Sequence, residues 1–167
     1  MLKKLALAAA AVALGAVAAH AATVTGTFTV QATISPSCSI DSLPNYNYGT
    51  IGGTATLIQN FTPTTVQVTC SNGTPYAVTL ASANNAAFGS AYSFNMVNGS
   101  KALGYRLYFN SFGNPQWDAT AGGTYSASGS GTAQSISMYG DIPTQTPPVG
   151  GWTVGTYADT VTMTLTY

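Results

Sequence analysis

Glutamate is absent from this sequence, and charge of either sign is scarce: four Lys or Arg, four acidic residues and a single His among 167. A chain so poor in cations offers little to a phosphate backbone or an anionic lipid surface, which excludes nucleic-acid and membrane-surface binding. The lone histidine, His20, falls in an N-terminal leader, so the rest has no His or Glu to serve as base to a serine nucleophile. The four aspartates, Asp41, Asp118, Asp141 and Asp159, lie in turn-like contexts or at strand edges, where Asp usually serves the backbone. A carboxylate pair for glycoside hydrolysis is therefore not expected, and the sequence reads as non-enzymatic. Cys38 and Cys70 are the only cysteines, too few ligands for a metal and without C-x-x-C spacing. No metal and no cofactor is expected.

The leader has the three parts of a secretory signal. Lys3 and Lys4 precede an apolar run from Leu5 to Ala19, and Ala19-His20-Ala21 supplies small residues at −3 and −1. Cleavage after Ala21 is the first choice and after Ala22 the second. The run is short for a bilayer span of ~20 residues, so residues 1–21 are expected to be removed. Beyond them, Lys101 and Arg106 stand against the four aspartates, a small net negative charge. Export places the two cysteines in an oxidising compartment, where they read as a structural disulfide. Closing a loop of about 33 residues stabilises the fold by roughly 3.5–4 kcal/mol in the chain-entropy model.

What is plentiful points to strands. Ten tyrosines and a mean hydropathy of +0.19 argue against disorder, and the polarity comes from Thr, Ser, Asn and Gly. No segment holds a helical apolar period long enough to form a helix. Thr23 to Ile34 alternates: Val24, Gly26, Phe28, Val30, Ala32 and Ile34 share one face, and Thr25, Thr27, Thr29, Gln31 and Thr33 the other. After a Ser35-Pro36-Ser37 turn and a looser region through Gly49, Thr64 to Cys70 reads as a strand. Asn72-Gly73 predicts a hairpin turn with Tyr76 to Leu80 as its return strand. Tyr92 to Val97, a second Asn-Gly turn at Asn98-Gly99, and Leu103 to Phe109 continue the pattern. Gly122 to Gly131 looks least ordered. Ile136 to Ile142 is predicted as a strand stopped by Pro143, and Pro147 to Gly151 as a loop. In the closing run Tyr157, Val161, Met163, Leu165 and Tyr167 share a face. Short strands with turns and no helix predict an all-β sandwich in a single domain.

The two cleanest amphipathic strands stand at the two ends. A separable strand of this kind suits addition to another molecule's sheet, with backbone hydrogen bonds for affinity and alternate side chains for pockets. Burying Val24, Phe28, Val30, Ala32 and Ile34 contributes about 5–12 kcal/mol gross on transfer arithmetic, and Gly26 allows close backbone approach.

Four segments in order, VTGTFTVQATISPSC, TVQVTCSNGTPYAVTL, LGYRLYF, and SMYGDIP with GTYADTVTMTLTY, resemble the spore coat protein U family, which includes subunits of archaic chaperone–usher pili. The resemblance implies an incomplete immunoglobulin-like β-sandwich lacking its last strand. It implies an exchange of partners: a periplasmic chaperone fills the groove temporarily, and an outer-membrane usher then catalyses its replacement by the N-terminal strand of an identical or related subunit. Carried onto this chain, it assigns residues 22–34 as donor strand, with Val24 to Ile34 entering the groove, and 35–167 as the pilin domain. Cys38–Cys70 becomes the family's single disulfide, and the Tyr157–Tyr167 strand borders the open groove, with the Tyr167 carboxylate near the chaperone's anchor. Ala32 stands where a bulkier residue would fill a pocket better. The implied role is a structural subunit of a surface pilus, secreted through the periplasm, supporting adhesion and biofilm formation.

Two other readings compete. Trp117-Asp118 and Trp152 in Gly-rich loops have the makings of a stacking platform in a self-contained, secreted sugar-binding domain, although aromatics in sandwich loops more often cap the core. A spore or surface coat protein would use the same fold. Asn60-Phe61-Thr62, Asn72-Gly73-Thr74 and Asn98-Gly99-Ser100 match the glycosylation sequon, but two are Asn-Gly turns and no glycan is expected.

Overall fold

The computed structural model describes residues 21–52, 59–60, 63–84, 94–110, 116–118 and 123–167. The apolar leader, Phe61-Thr62 of the first sequon, the start of the expected strand at Tyr92 and Gly122 lie outside the described residues. The chain divides into two units, 1–33 and Ile34–Tyr167.

In the first unit, residues 21–33 are exposed throughout and belong to no strand. Val24, Phe28 and Val30 are 95%, 87% and 84% exposed. The alternation seen in the sequence is thus not expressed as a strand in the isolated chain. A strand's N–H and C=O groups need a neighbour to bond, and an amphipathic one needs a surface to cover.

The second unit is all-β, with nine strands among the described residues: β1 (Cys38–Ser42), β2 (Gln59–Asn60), β3 (Thr64–Cys70), β4 (Pro75–Ser82), β5 (Phe94–Asn98), β6 (Lys101–Tyr108), β7 (Tyr125–Ser128), β8 (Ala133–Ile142) and β9 (Val161–Thr166). They form two open sheets, resembling an incomplete immunoglobulin-like sandwich. One has the order β1-β3-β8-β6-β5, with β2 also on β8, and the other is β7-β4-β9. Every pairing described is antiparallel.

Alternation builds the core. Val66, Val68 and Cys70 of β3, Leu103, Tyr105 and Leu107 of β6, and Ile136, Met138 and Ile142 of β8 come from the larger sheet; Tyr76, Val78 and Leu80 of β4 come from the smaller. Trp117 fills the space between them from a loop, completely buried, its indole Nε1–H donating to the Val78 carbonyl at 2.9 Å.

The two Asn-Gly dipeptides behave differently. At the second, Asn98 and Lys101 are register partners, so Gly99 and Ser100 form the two-residue loop of the expected β5–β6 hairpin. Gly99 has φ +58° at the first central position, the type II′ pattern that matches strand twist. At the first, β3 and β4 do not pair and belong to different sheets, which corrects the expected hairpin. Thr74 N–H closes a turn on the Ser71 carbonyl at 3.0 Å; Gly73 has φ +77° while Asn72 stays negative, a type II turn. Such a turn splays its strands, and here it carries the chain from one sheet to the other.

That corner is held by the β7–β8 connection. Gly73 N–H donates to Gly129 O, Gly129 N–H to Thr74 O, and Gly131 N–H to Cys70 O, at 2.8–2.9 Å. A Cβ on Gly129 would stand 2.3 Å from the Ser71 carbonyl oxygen, so only glycine fits. The segment expected to be least ordered therefore contains β7, paired along β4 with Tyr125 and Ala127 half-buried. Small residues there permit close approach. β1 is a second addition, in a region expected to be loose.

Candidate functional site

The site is an absence of cover along two edge strands. Among the described residues β9 pairs only with β4, and β1 only with β3. In the β4–β9 register Val78 faces Leu165 and Leu80 faces Met163. Val78 and Leu80 are buried, yet Leu165, Met163 and Val161 are only half-buried although they pack on the core. The same step occurs at the other edge. Val68 is fully buried and its partner Ile40 is 38% exposed. An apolar row one strand from the core interior is left half-open on both sheets, and no second described strand pairs with the backbone of either edge.

Between the chain leaving β1 and the chain entering β9 lies a cleft of about 570 Å³. Tyr46–Gly52 form one wall and Trp152–Tyr157 the other, with Met96 and Leu103 also lining it. Tyr46 and Tyr48 seat on Gly140, where a Cβ would meet the Tyr46 ring and the Tyr48 hydroxyl at 2.9 Å. Tyr48 packs edge-on to Tyr105 at 5.7 Å, and Phe94 lies 5.4 Å from Tyr105. The buried hydroxyl of Tyr157 has no hydrogen-bond partner among the described residues.

The wall before β9 is fastened to both sheets. Asp159 accepts from Tyr105 Oη at 2.7 Å on the larger sheet, and from Ser82 Oγ at 2.7 Å and Asn84 Nδ2 at 2.9 Å at the end of β4. Burial and the facing Asp159 carboxylate both push the Tyr105 hydroxyl well above the ordinary tyrosine range, and burial does the same for Tyr48.

The sequence-derived residues fall as follows. Cys38 and Cys70 are register partners joined by a disulfide that ties β1 to β3. Val161, Met163 and Leu165 are the half-buried face of β9, Tyr157 stands in the cleft wall ahead of the strand, and Tyr167 is 60% exposed. Trp117 is sealed in the core and offers no stacking face; Trp152 is half-buried in the cleft wall, its indole N–H on the Ala102 carbonyl. The aspartates serve hydrogen bonds. Asp41 accepts from Thr69 and, less strongly, from Ser39, which hold its carboxyl below the usual value. Asp141 corrects the expectation of a turn or edge position: it lies inside β8, buried, receiving both Nε and a terminal nitrogen of its register partner Arg106. A lone cation beside a carboxylate on a central sheet is balanced there as a pair. No group of three or more His, Cys, Asp or Glu among the described residues is arranged to hold a metal ion. Sequence reasoning missed the Tyr46–Gly52 wall, whose two tyrosines were visible but carry no strand period.

Residues 24–164 match the family model of the Spore Coat Protein U domain. A chain in the crystal structure of the CsuC-CsuE chaperone–tip adhesion subunit pre-assembly complex, from archaic chaperone-usher Csu pili of Acinetobacter baumannii, superposes with a TM-score of 0.57 at 22% identity. The alignment covers 81% of this chain and 41% of that one, so this chain spans well under half of its length. At that identity the likeness concerns the fold: an open, pilin-type sandwich. No curated protein matches the chain.

Proposed function

We propose, since this chain belongs to the Spore Coat Protein U domain family, that it is a structural subunit of a surface fibre whose copies are joined by strand donation. The observation that carries the reading is the step in burial at both open edges: Val78 and Val68 are fully buried while their edge partners Leu165 and Ile40 are not. An added strand supplies the missing cover and pairs the free backbone groups. The chain also contains a segment with the matching character. Residues 22–34 present Val24, Phe28, Val30 and Ile34 to solvent, with Gly26 and Ala32 in the same alternating set.

In this reading a copy's 22–34 segment enters the open edge of the next copy beside β9. A periplasmic chaperone occupies that edge beforehand, and an outer-membrane usher catalyses the exchange. The signal at residues 1–21 delivers the chain to the periplasm, and the finished pilus stands at the cell surface, where it supports adhesion and biofilm formation. A coat protein would draw on the same assembly; a neighbouring chaperone and usher in the genome separate the two cases. The self-contained sugar-binding alternative loses Trp117, which is buried.

The test is electrophoresis of surface-sheared material in SDS, unheated and then boiled, probed for this chain. A ladder that collapses to one band on boiling is the result expected of kinetically locked strand exchange. A single monomer band in both lanes, from cells with an intact secretion locus, overturns the proposal in favour of a self-contained domain.

A further inference from the structure

Both Asn-Gly dipeptides satisfy the composition rule for spontaneous amide loss, in which the glycine nitrogen attacks the asparagine side-chain carbonyl. The reaction forms an N–Cγ bond, breaks the Cγ–Nδ2 bond and releases ammonia. Water then opens the cyclic imide at either carbonyl, leaving aspartate or isoaspartate. No oxidant or further reactant is needed. The backbone nitrogen must be free to lose its proton, and the side chain free to swing over it.

The fold treats the two sites unequally. Gly73 N–H is committed to the Gly129 carbonyl at 2.9 Å, within the interleaved corner that also bonds Thr74 and Cys70. Asn72 is thus fixed next to a disulfide-bonded strand end. Among the described residues Gly99 N–H donates to no group, and the type II′ turn it begins is exposed at Gly99 and Ser100. The side-chain amide of Asn98 likewise has no hydrogen bond among the described residues. It rests instead beside Gly155, its nitrogen 2.7 Å from where a Cβ on that residue would be.

We propose that Asn98 is a modification site, converted spontaneously to aspartate or isoaspartate in the folded chain, while Asn72 is protected by the corner that binds Gly73. The product is a carboxylate against Gly155, on the wall of the cleft described above. In a chain with so few charges this is a substantial local change, placed where an incoming apolar segment would feel it. The proposal does not depend on strand donation.

Purified full-length chain, disulfide intact, is incubated at mildly alkaline pH and sampled over weeks by peptide mapping with isoaspartyl methyl transfer as a second readout. The same chain, reduced and held in denaturant, runs in parallel. In the folded chain Asn98 is expected to convert several-fold faster than Asn72, and the ratio falls to near one in the unfolded control. Asn98→Gln should abolish the fast component. Equal rates in the folded chain, faster loss at Asn72, an unchanged ratio on unfolding, or no conversion at Asn98 while the unfolded control reacts would each overturn the assignment.

Discussion

Val97 and Ala158 exchange both of their backbone hydrogen bonds, Val97 N–H to Ala158 O at 2.9 Å and the return bond at 3.2 Å. Val97 belongs to the last strand of the larger sheet, whereas Ala158 precedes β9 of the smaller one. This bridge and the adjoining Asp159 therefore close one end of a sandwich whose β9 edge is open.

Removing the Asp159 carboxylate tests that clasp. Asp159→Ala leaves Tyr105, Ser82 and Asn84 without their shared acceptor and should destabilise the domain by about 1–3 kcal/mol, the usual range for losing a partly buried charged acceptor. Denaturant unfolding of the full chain reads the loss as a lower midpoint at unchanged slope.

Gln145 acts as a substitute for a strand. Beyond the end of β8, its amide accepts from Gly104 N–H at 2.8 Å and donates to Gly104 O at 2.6 Å. Gln145→Leu keeps the bulk but orphans both buried backbone groups, and a cost of about 1–3 kcal/mol is expected. Gln145→Glu, which can still accept but not donate, should fall between the wild type and the leucine variant. Equal midpoints for all three would remove Gln145 from the account.

Gly140 leaves room for two rings. Gly140→Val drives Cβ and two methyls into Tyr46 and Tyr48, and overpacking of this kind costs about 1–3 kcal/mol. Near-ultraviolet circular dichroism should change along with the midpoint, since the tyrosines of the cleft wall must move.

Alkaline pH should unfold the domain cooperatively. Tyr105 and Tyr48 have raised folded-state values, so their protonated forms are favoured by folding. That contribution is complete below the unfolded tyrosine value of about 10 and is lost as pH climbs toward the folded one. Tyrosinate absorbance during a pH titration should rise together with loss of β-structure. Independent, gradual titration of all ten tyrosines without unfolding would contradict this.

On the proposed strand donation, charge in the 22–34 segment should act on assembly alone. Phe28→Asp or Val30→Asp, both at exposed positions, is expected to leave folding and export intact while weakening the SDS-resistant ladder. Deleting residues 23–34 should leave a disulfide-bonded domain that a chaperone still holds but that donates no strand. Unchanged ladders in these variants would remove the 22–34 segment from the joint.

Much of the architecture was legible because period-2 alternation reports burial directly. Thr64–Cys70 agrees with β3 to the residue, and Pro143 follows the last residue of β8. What composition hides is which sheet a strand joins. The pair Asn-Gly favours a turn, but the turn's class depends on whether Gly lies first or second between the strands, and only the three-dimensional corner at Gly129 decides that. Likewise Tyr125–Ser128 reads as weak because its neighbours are Gly, Ser and Ala, yet the same small residues let β7 lie along β4. The candidate site was half visible. β9 showed its face in sequence, whereas the Tyr46–Gly52 wall is set by tertiary contacts that no local period encodes.

The Cys38–Cys70 bond has a mechanical consequence for that wall. Tyr46–Gly52 lie inside the loop it closes, and β3, at the loop's far end, is held in the larger sheet between β1 and β8. The segment is therefore a span with both feet anchored. Its ends cannot part without disturbing the disulfide or the β1–β3 pairing, so this wall is a tethered span and not a free tail.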